Sequence, residues 1–133
     1  MIFGIGTDLC DMRRIADTLA RRGERFAEKV LGPHELTVFR DRRARVEQRG
    51  VHYLATRFAA KEAFSKAIGL GMRMPMTWRA CEVVHEAGGR PAVRLHGVLA
   101  GWFAARGLKA HLSLSEDTHY AIAHVVVEHE TTT

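Results

Sequence analysis

The sequence predicts an α+β fold in which an antiparallel sheet packs around one long helix. Three observations carry this expectation. The chain opens with an apolar strand, Ile2–Leu9. Its middle is an alanine-rich helical stretch, Arg57-Phe58-Ala59-Ala60-Lys61-Glu62-Ala63-Phe64-Ser65-Lys66-Ala67, closed by Ile68-Gly69. Its last third is mostly alternating, strand-like sequence rather than a strand–helix repeat. Helices gathered against an antiparallel sheet give this class, whereas a doubly wound fold needs strands and helices in regular alternation. A chain of 133 residues is expected to form a single domain over residues 1–133.

In the first strand, Gly4 and Gly6 alternate with Phe3, Ile5 and Thr7. Glycines on one face leave room for a close approach to the backbone. Asp8 stands where the strand is expected to end, and Asp8 or Asp11 can cap the next helix. Residues 11–22 form an amphipathic helix with Met12, Ile15, Ala16 and Leu19 on one side. Arg13, Arg14, Arg21 and Arg22 make it basic. After Gly23, residues 25–31 read as a short helix with Phe26, Val30 and Leu31 inward, stopped by Gly32-Pro33. Residues 34–39 form another short helical piece. The arginine-rich run 40–49 is either a loop or the start of the long helix, its arginines mostly facing solvent. Gly50 places the regular start near Val51. From there Leu54, Phe58, Ala59, Ala63, Phe64, Ala67 and Ile68 recur at spacings of three and four, giving one buried face. Gly69 and Gly71 stop it.

Residues 72–76, with Pro75, form an irregular link. Residues 78–87 and 92–96 read as strands around the tight turn Gly88-Gly89-Arg90-Pro91. Residues 98–106 form a short helix with Leu99, Trp102 and Phe103 apolar, ended by Gly107. Strands over 111–115 and 119–128 complete the chain. In the last, Ala121, Ala123, Val125 and Val127 share one face. The polar tail Thr131–Thr133 is expected to fray.

Composition narrows the function. A net charge of +5 and a pI near 9.8 favour a polyanionic partner: nucleic acid, anionic membrane, phosphorylated ligand or acidic protein. Cys10 and Cys81 fit two free thiols in a reducing, cytoplasmic setting. The apolar start lacks a basic region before it and is broken by Gly4, Gly6 and Asp8, unlike a secretory signal. No membrane-span-length apolar run occurs. Neither phosphate-binding glycine motif is present, and no Cys/His cluster has zinc spacing.

The chemistry-bearing candidates are carboxylates and amines. Glu62 and Lys66 share a helix face, four residues apart, with Ser65 beside them. One reading is a solvated ion pair on an ordinary helix, contributing ~0.5 kcal/mol. The other joins Glu62 to Asp8. Mg²⁺ takes oxygen ligands and is commonly held by one or two carboxylates plus substrate phosphates. Two carboxylates flanked by Lys61 and Lys66 suit a metal-bound pyrophosphate, whose chemistry needs charge neutralisation and in-line positioning.

The segments Gly4-Ile5-Gly6-Thr7-Asp8-Leu9, Arg14-Ile15 and Arg57–Gly69, in that order, closely resemble the holo-[acyl-carrier-protein] synthases, the small bacterial 4′-phosphopantetheinyl transferases. Phe26–Leu31, Gly89-Arg90-Pro91 and His111–Ser115 extend the resemblance over most of the chain. It implies that Mg²⁺ and coenzyme A bind and that a carrier-protein serine attacks the β-phosphorus, releasing adenosine 3′,5′-bisphosphate. It assigns Asp8 and Glu62 as metal ligands and Glu62 and Lys66 to catalysis. Lys66, Arg90, Pro91 and His111 are assigned to coenzyme A. The basic first helix, with Arg14, Arg21 and Arg22, docks acyl carrier protein. The family is a homotrimer with active sites shared between subunits.

Some positions depart from the family pattern. Arg90 replaces a lysine, Leu70 a threonine, and Glu116 follows Ser115 where many members carry histidine. His111 is either a nucleotide contact or a structural strand-end histidine. The general base is either Glu62 acting through water or the metal's own effect on the hydroxyl. A non-catalytic nucleic-acid-binding domain, resting on the basic charge and residues 40–49, is the competing class. Aromatic content of only 8% and the lack of a recognised binding motif argue against it. A carrier binder without activity is the third, and Asp8, Glu62 and Lys66 argue against that.

Overall fold

The computed structural model describes residues 1–131; Thr132 and Thr133, the end of the tail expected to fray, lie outside them. The elements are β1 (Ile2–Asp11), α1 (Met12–Arg22), α2 (Glu24–Val30), α3 (Pro33–Arg45), α4 (Glu47–Ala67), a 3₁₀ turn (Trp78–Ala80), β2 (Cys81–His85), β3 (Pro91–Leu95), α5 (Gly97–Ala105), β4 (Leu108–Glu116) and β5 (Tyr120–His129). The expected α+β class is what forms. The main sheet is antiparallel in the order β1-β5-β4, and β2 and β3 make a separate hairpin.

Helix α4 departs from the expected single buried face. Val51, Leu54, Ala55, Ala59, Ala60, Ala63, Phe64 and Ala67 are all buried, and they point in every direction around the axis. The sheet, α3, α1 and β2 surround it, so alanines are used where four neighbours must come close. The helix also starts earlier than expected, at Glu47. Gly50 does not break it; a Cβ there would lie 2.7 Å from Cβ of Arg43, so this glycine lets α3 and α4 cross. Most of the arginine-rich run belongs to α3. Arg40 pairs with Glu24, Arg43 with Glu47 and Arg45 with Asp41, so solvent is not their sole partner.

Strand β1 lies on α4 through its glycines. A Cβ on Gly4 would sit 1.9 Å from the carbonyl oxygen of Ala67, and one on Gly6 1.9 Å from that of Ala63. Opposite them in β5 stand Val127 and Val125, which are buried with Ala121 and Ala123 on the same face. Asp8 does not end the strand, which continues to Asp11. Asp11 is the cap of α1, accepting from the Arg13 N–H at 2.9 Å. That leaves Asp8 without a capping duty.

Lys61 also departs from the expected position. It does not flank a phosphate site but is wholly buried. Its Nζ donates to the Val30 carbonyl at 2.6 Å, to Glu35 Oε1 at 2.6 Å and to the Trp78 carbonyl at 3.0 Å. Glu35 also accepts from the Gly32 and Val83 N–H groups. Glu82 accepts from the Glu35 N–H and meets His96 at 2.9 Å. A buried ammonium is tolerable only with such a full set of partners.

The β1–α4 contact generates a direct test. Gly6→Ala should lower stability by roughly 3 kcal/mol or more, above the usual range for overpacking because its obstacle is backbone. Thermal melting checks this, and an unchanged Tm would show that the strand does not need its close seat on the helix.

Candidate active site

Close packing of β1 on α4 brings together residues far apart in the chain. Lys66 Nζ donates to Asp8 Oδ1 at 3.3 Å and to the Thr7 carbonyl at 3.1 Å, spanning 58 and 59 positions. Lys66 is therefore bridged to β1. Its salt bridge is to Asp8, where the simple helix-surface reading expected Glu62. Glu62 stands one helical turn before it, half-buried. Burial pushes the Glu62 carboxyl above its ordinary range, and the nearby Asp8 charge adds to this against Lys66. Asp8 is likewise raised by burial, partly offset by Lys66. Ser65 turns inward and donates to the Glu62 carbonyl at 2.7 Å, a backbone role that leaves it no part in the site.

The other expected residues lie elsewhere on the chain. Arg90 and Pro91 sit at the β2–β3 turn, with Pro91 paired to His85. His111 is on β4 opposite Val126 and meets Glu128 at 2.6 Å. Its register places it on the outer face of the sheet, away from α4. Arg14, Arg21 and Arg22 are exposed on α1, with no salt bridge among the described residues.

One feature was missed in the sequence. A cavity of roughly 750 Å³ opens between α3, α4, β2 and β4, lined by Arg42, Arg49, His52, Arg57, His85 and Glu116 among others. Arg57 and Arg42 lie over the Tyr53 ring, 4.1 and 5.0 Å from its centre. Arg57 is 6% exposed and its Nε has no hydrogen-bond partner among the described residues. Burial holds its pKa below the usual arginine range, and Arg42 lowers it further. Burial, then Arg57 and Arg42, lower His85 as well. Concentrated positive charge with an orphaned guanidinium donor is what an anion would complete. Strand register places Leu114, on the cavity wall, in the row of Asp8 and Ala123. The cavity wall is thus two strands, about 10 Å, from Asp8. The available signal was Arg42, Arg49 and Arg57 at spacings of seven and eight, hidden because α3 and α4 were not separable in the run 40–49.

The model of the 4′-phosphopantetheinyl transferase superfamily matches residues 4–125. The chain belongs to that superfamily. Within it, the chain is 66% identical to a holo-[acyl-carrier-protein] synthase of Methylibium petroleiphilum, over 99% of this chain and 100% of the relative. The structure of the holo-[acyl-carrier-protein] synthase of Neisseria meningitidis superposes with a TM-score of 0.88 at 38% identity, covering 96% and 99% of the two chains. That of Bacillus anthracis, solved in complex with CoA (3′,5′-ADP), gives 0.81 at 32% identity, covering 98% and 99%.

Asp8 and Glu62 fit the hard cation implied by a 4′-phosphopantetheinyl transferase. They offer only oxygen, and both carry charge that their surroundings disfavour, which a divalent ion would relieve. No group of three or more His, Cys, Asp or Glu that could hold a metal occurs among the described residues. Two carboxylates with substrate and water oxygens suit Mg²⁺ rather than a closed zinc site.

Because both carboxyls are raised in the fold, their ionised forms subtract stability at neutral pH. That loss is relieved as pH falls through the folded values toward the ordinary carboxylate range. Asp8→Asn should therefore melt no lower than wild type in metal-free buffer. Millimolar Mg²⁺ should raise the Tm of wild type but not of Asp8→Asn. Equal responses of the two proteins in differential scanning fluorimetry would remove Asp8 from the metal site.

Proposed function

We propose that this chain transfers 4′-phosphopantetheine from coenzyme A to a serine of acyl carrier protein, as a holo-[acyl-carrier-protein] synthase. The observation that carries the reading is the convergence of Asp8, Glu62 and Lys66 from β1 and α4. In the reaction the serine oxygen bonds to the β-phosphorus of the pyrophosphate. The bond from that phosphorus to the bridging oxygen breaks, and adenosine 3′,5′-bisphosphate leaves with the electron pair. Asp8 and Glu62 would hold Mg²⁺, which when bound neutralises pyrophosphate charge. Glu62 would take the serine proton through a water molecule. Lys66, tethered by Asp8 and the Thr7 carbonyl, keeps a fixed ammonium beside the transferring group.

Coenzyme A's 3′-phosphate would occupy the arginine cavity, with Arg90 and Pro91 beside His85 at its edge. The chain would act as a single domain within a homotrimer. Support comes from the outer face of the sheet, where Phe3, Ile5 and Leu9 are 38%, 68% and 63% exposed. An apolar face of this kind calls for a partner. His111 on that face would then serve the active site of a neighbouring subunit. The exposed Arg14, Arg21 and Arg22 would dock the acidic carrier. Among the described residues no helix is long and apolar enough to cross a membrane.

Mass spectrometry of an apo carrier incubated with this protein, coenzyme A and Mg²⁺ should show the phosphopantetheine adduct; no adduct would reject the activity. Lys66→Ala should lower kcat by roughly 10²–10³ with little change in Tm. Lys66→Arg should restore only part of the rate, since a planar fork replaces a compact ammonium. Wild-type kcat in Lys66→Ala at saturating substrates would return Lys66 to the ordinary helix surface. Arg21→Glu with Arg22→Glu should raise the KM for the carrier and leave that for coenzyme A unchanged. An unchanged carrier KM would place docking elsewhere.

A further inference from the structure

The arginine cavity contains its own opposing charge. Glu116, at the end of β4, is the only carboxylate among its lining residues. Its Oε2 lies 3.4 Å from Nδ1 of His52 on α4. The other charged and titratable groups lining the cavity come from every wall: Arg42 from α3; Arg49, His52, Tyr53 and Arg57 from α4; His85 from β2. Five of these six are cationic or can become so. Burial pushes the Tyr53 hydroxyl up to about 12, so Tyr53 brings no negative charge.

Three guanidiniums without a carboxylate would hold a phosphate monoester tightly, because charge-assisted bonds are strong where water is partly excluded. Tight holding is a disadvantage at a site whose product carries that phosphate away. A carboxylate in the cavity repels a phosphate there and offsets part of the arginine attraction. His52, when protonated, offsets the carboxylate in turn. The two members of the pair therefore act on a bound anion with opposite sign.

We propose that Glu116 is an electrostatic brake on the nucleotide seat: it weakens the hold on the 3′-phosphate and hastens release of adenosine 3′,5′-bisphosphate, and His52 sets how strongly it acts. This rests on the reading of the cavity as the seat of that phosphate. Glu116 acts on affinity and release and takes no part in bond making.

The test is calorimetric titration of adenosine 3′,5′-bisphosphate, in mildly acidic buffer, into wild type, Glu116→Gln, His52→Gln and Arg57→Ala. Adenosine 5′-monophosphate, which lacks the 3′-phosphate, is the control ligand. Glu116→Gln should bind the bisphosphate about three- to tenfold more tightly, the scale of one like charge removed across several ångströms. Its dissociation should slow by a similar factor in stopped flow, with little change for the monophosphate. His52→Gln should bind the bisphosphate more weakly. If the pair matters only as a bridge between α4 and β4, both substitutions move affinity in the same direction, which overturns the proposal. Unchanged or weaker binding by Glu116→Gln overturns it as well. A different failure belongs to the underlying reading: Arg57→Ala binding the bisphosphate as well as wild type would show that the cavity is not the phosphate seat, whatever Glu116 does.

Discussion

Strand β1 can seat on helix α4 only because Gly4 and Gly6 carry no side chain. Each would otherwise drive a methyl group into a carbonyl of the helix, 1.9 Å away. Everything at the site follows from that contact. Asp8 is the next residue on the same side of the strand, so it reaches α4 one pleat beyond Gly6. Lys66 lies where the Thr7 carbonyl and the Asp8 carboxylate can both receive it. Glu62, a turn earlier, comes within reach of the Asp8 charge. The alanines of α4 and the small inner-face residues Ala121 and Ala123 serve the same close approach. Backbone fit, rather than side-chain interlock, brings the carboxylates together.

A second constraint fixes the rotation of that helix. Lys61 precedes Glu62 and is fully buried, bound to Val30, Glu35 and Trp78. Breaking one partner of a buried pair typically costs about 3–5 kcal/mol because the other charge is stranded. The Lys61 ammonium therefore tolerates little turning of α4 about its axis. With Lys61 held inward, Glu62 is directed to the β1 side. The network reaches on through Glu82 to His96 at the start of α5, so the hairpin β2–β3 and α5 are tied to the same helix.

Much of this was legible in the sequence. The small-residue pattern of β1, the stripe of α1, the turn at Gly88-Gly89 and the two faces of β5 each follow local rules that the fold obeys. Asp8, Glu62 and Lys66 could be singled out by residue type and by resemblance. Their meeting could not, since it depends on strand–helix contact across almost half the chain. Lys61 was misread because its neighbours Glu62 and Lys66 face the site, and the burial of a lysine depends on Glu35, a residue 26 positions away. Gly50 lies inside α4 rather than before it, because a glycine that admits a crossing helix looks the same in sequence as one that precedes a helix start. The arginine cavity depends on α3 and α4 lying side by side, and no local signal marks where one stops and the other begins.

The order of strands in the main sheet has a kinetic consequence. The middle strand, β5, is the last element of the chain, whereas its neighbour β1 is the first. Asp8 is paired with Ala123, so β1 gains its partner only by closing a loop spanning most of the sequence, whereas β4 meets β5 through a short turn. Long-range antiparallel closure of this kind is slow, because chain entropy is lost before contacts reward it. During synthesis the helices can form and gather early, but β1 must wait, with its backbone N–H and C=O groups unpaired, until β5 leaves the ribosome. Nascent chains stalled short of Tyr120 would present an unpaired apolar strand to the cell, a species of the kind that chaperones bind.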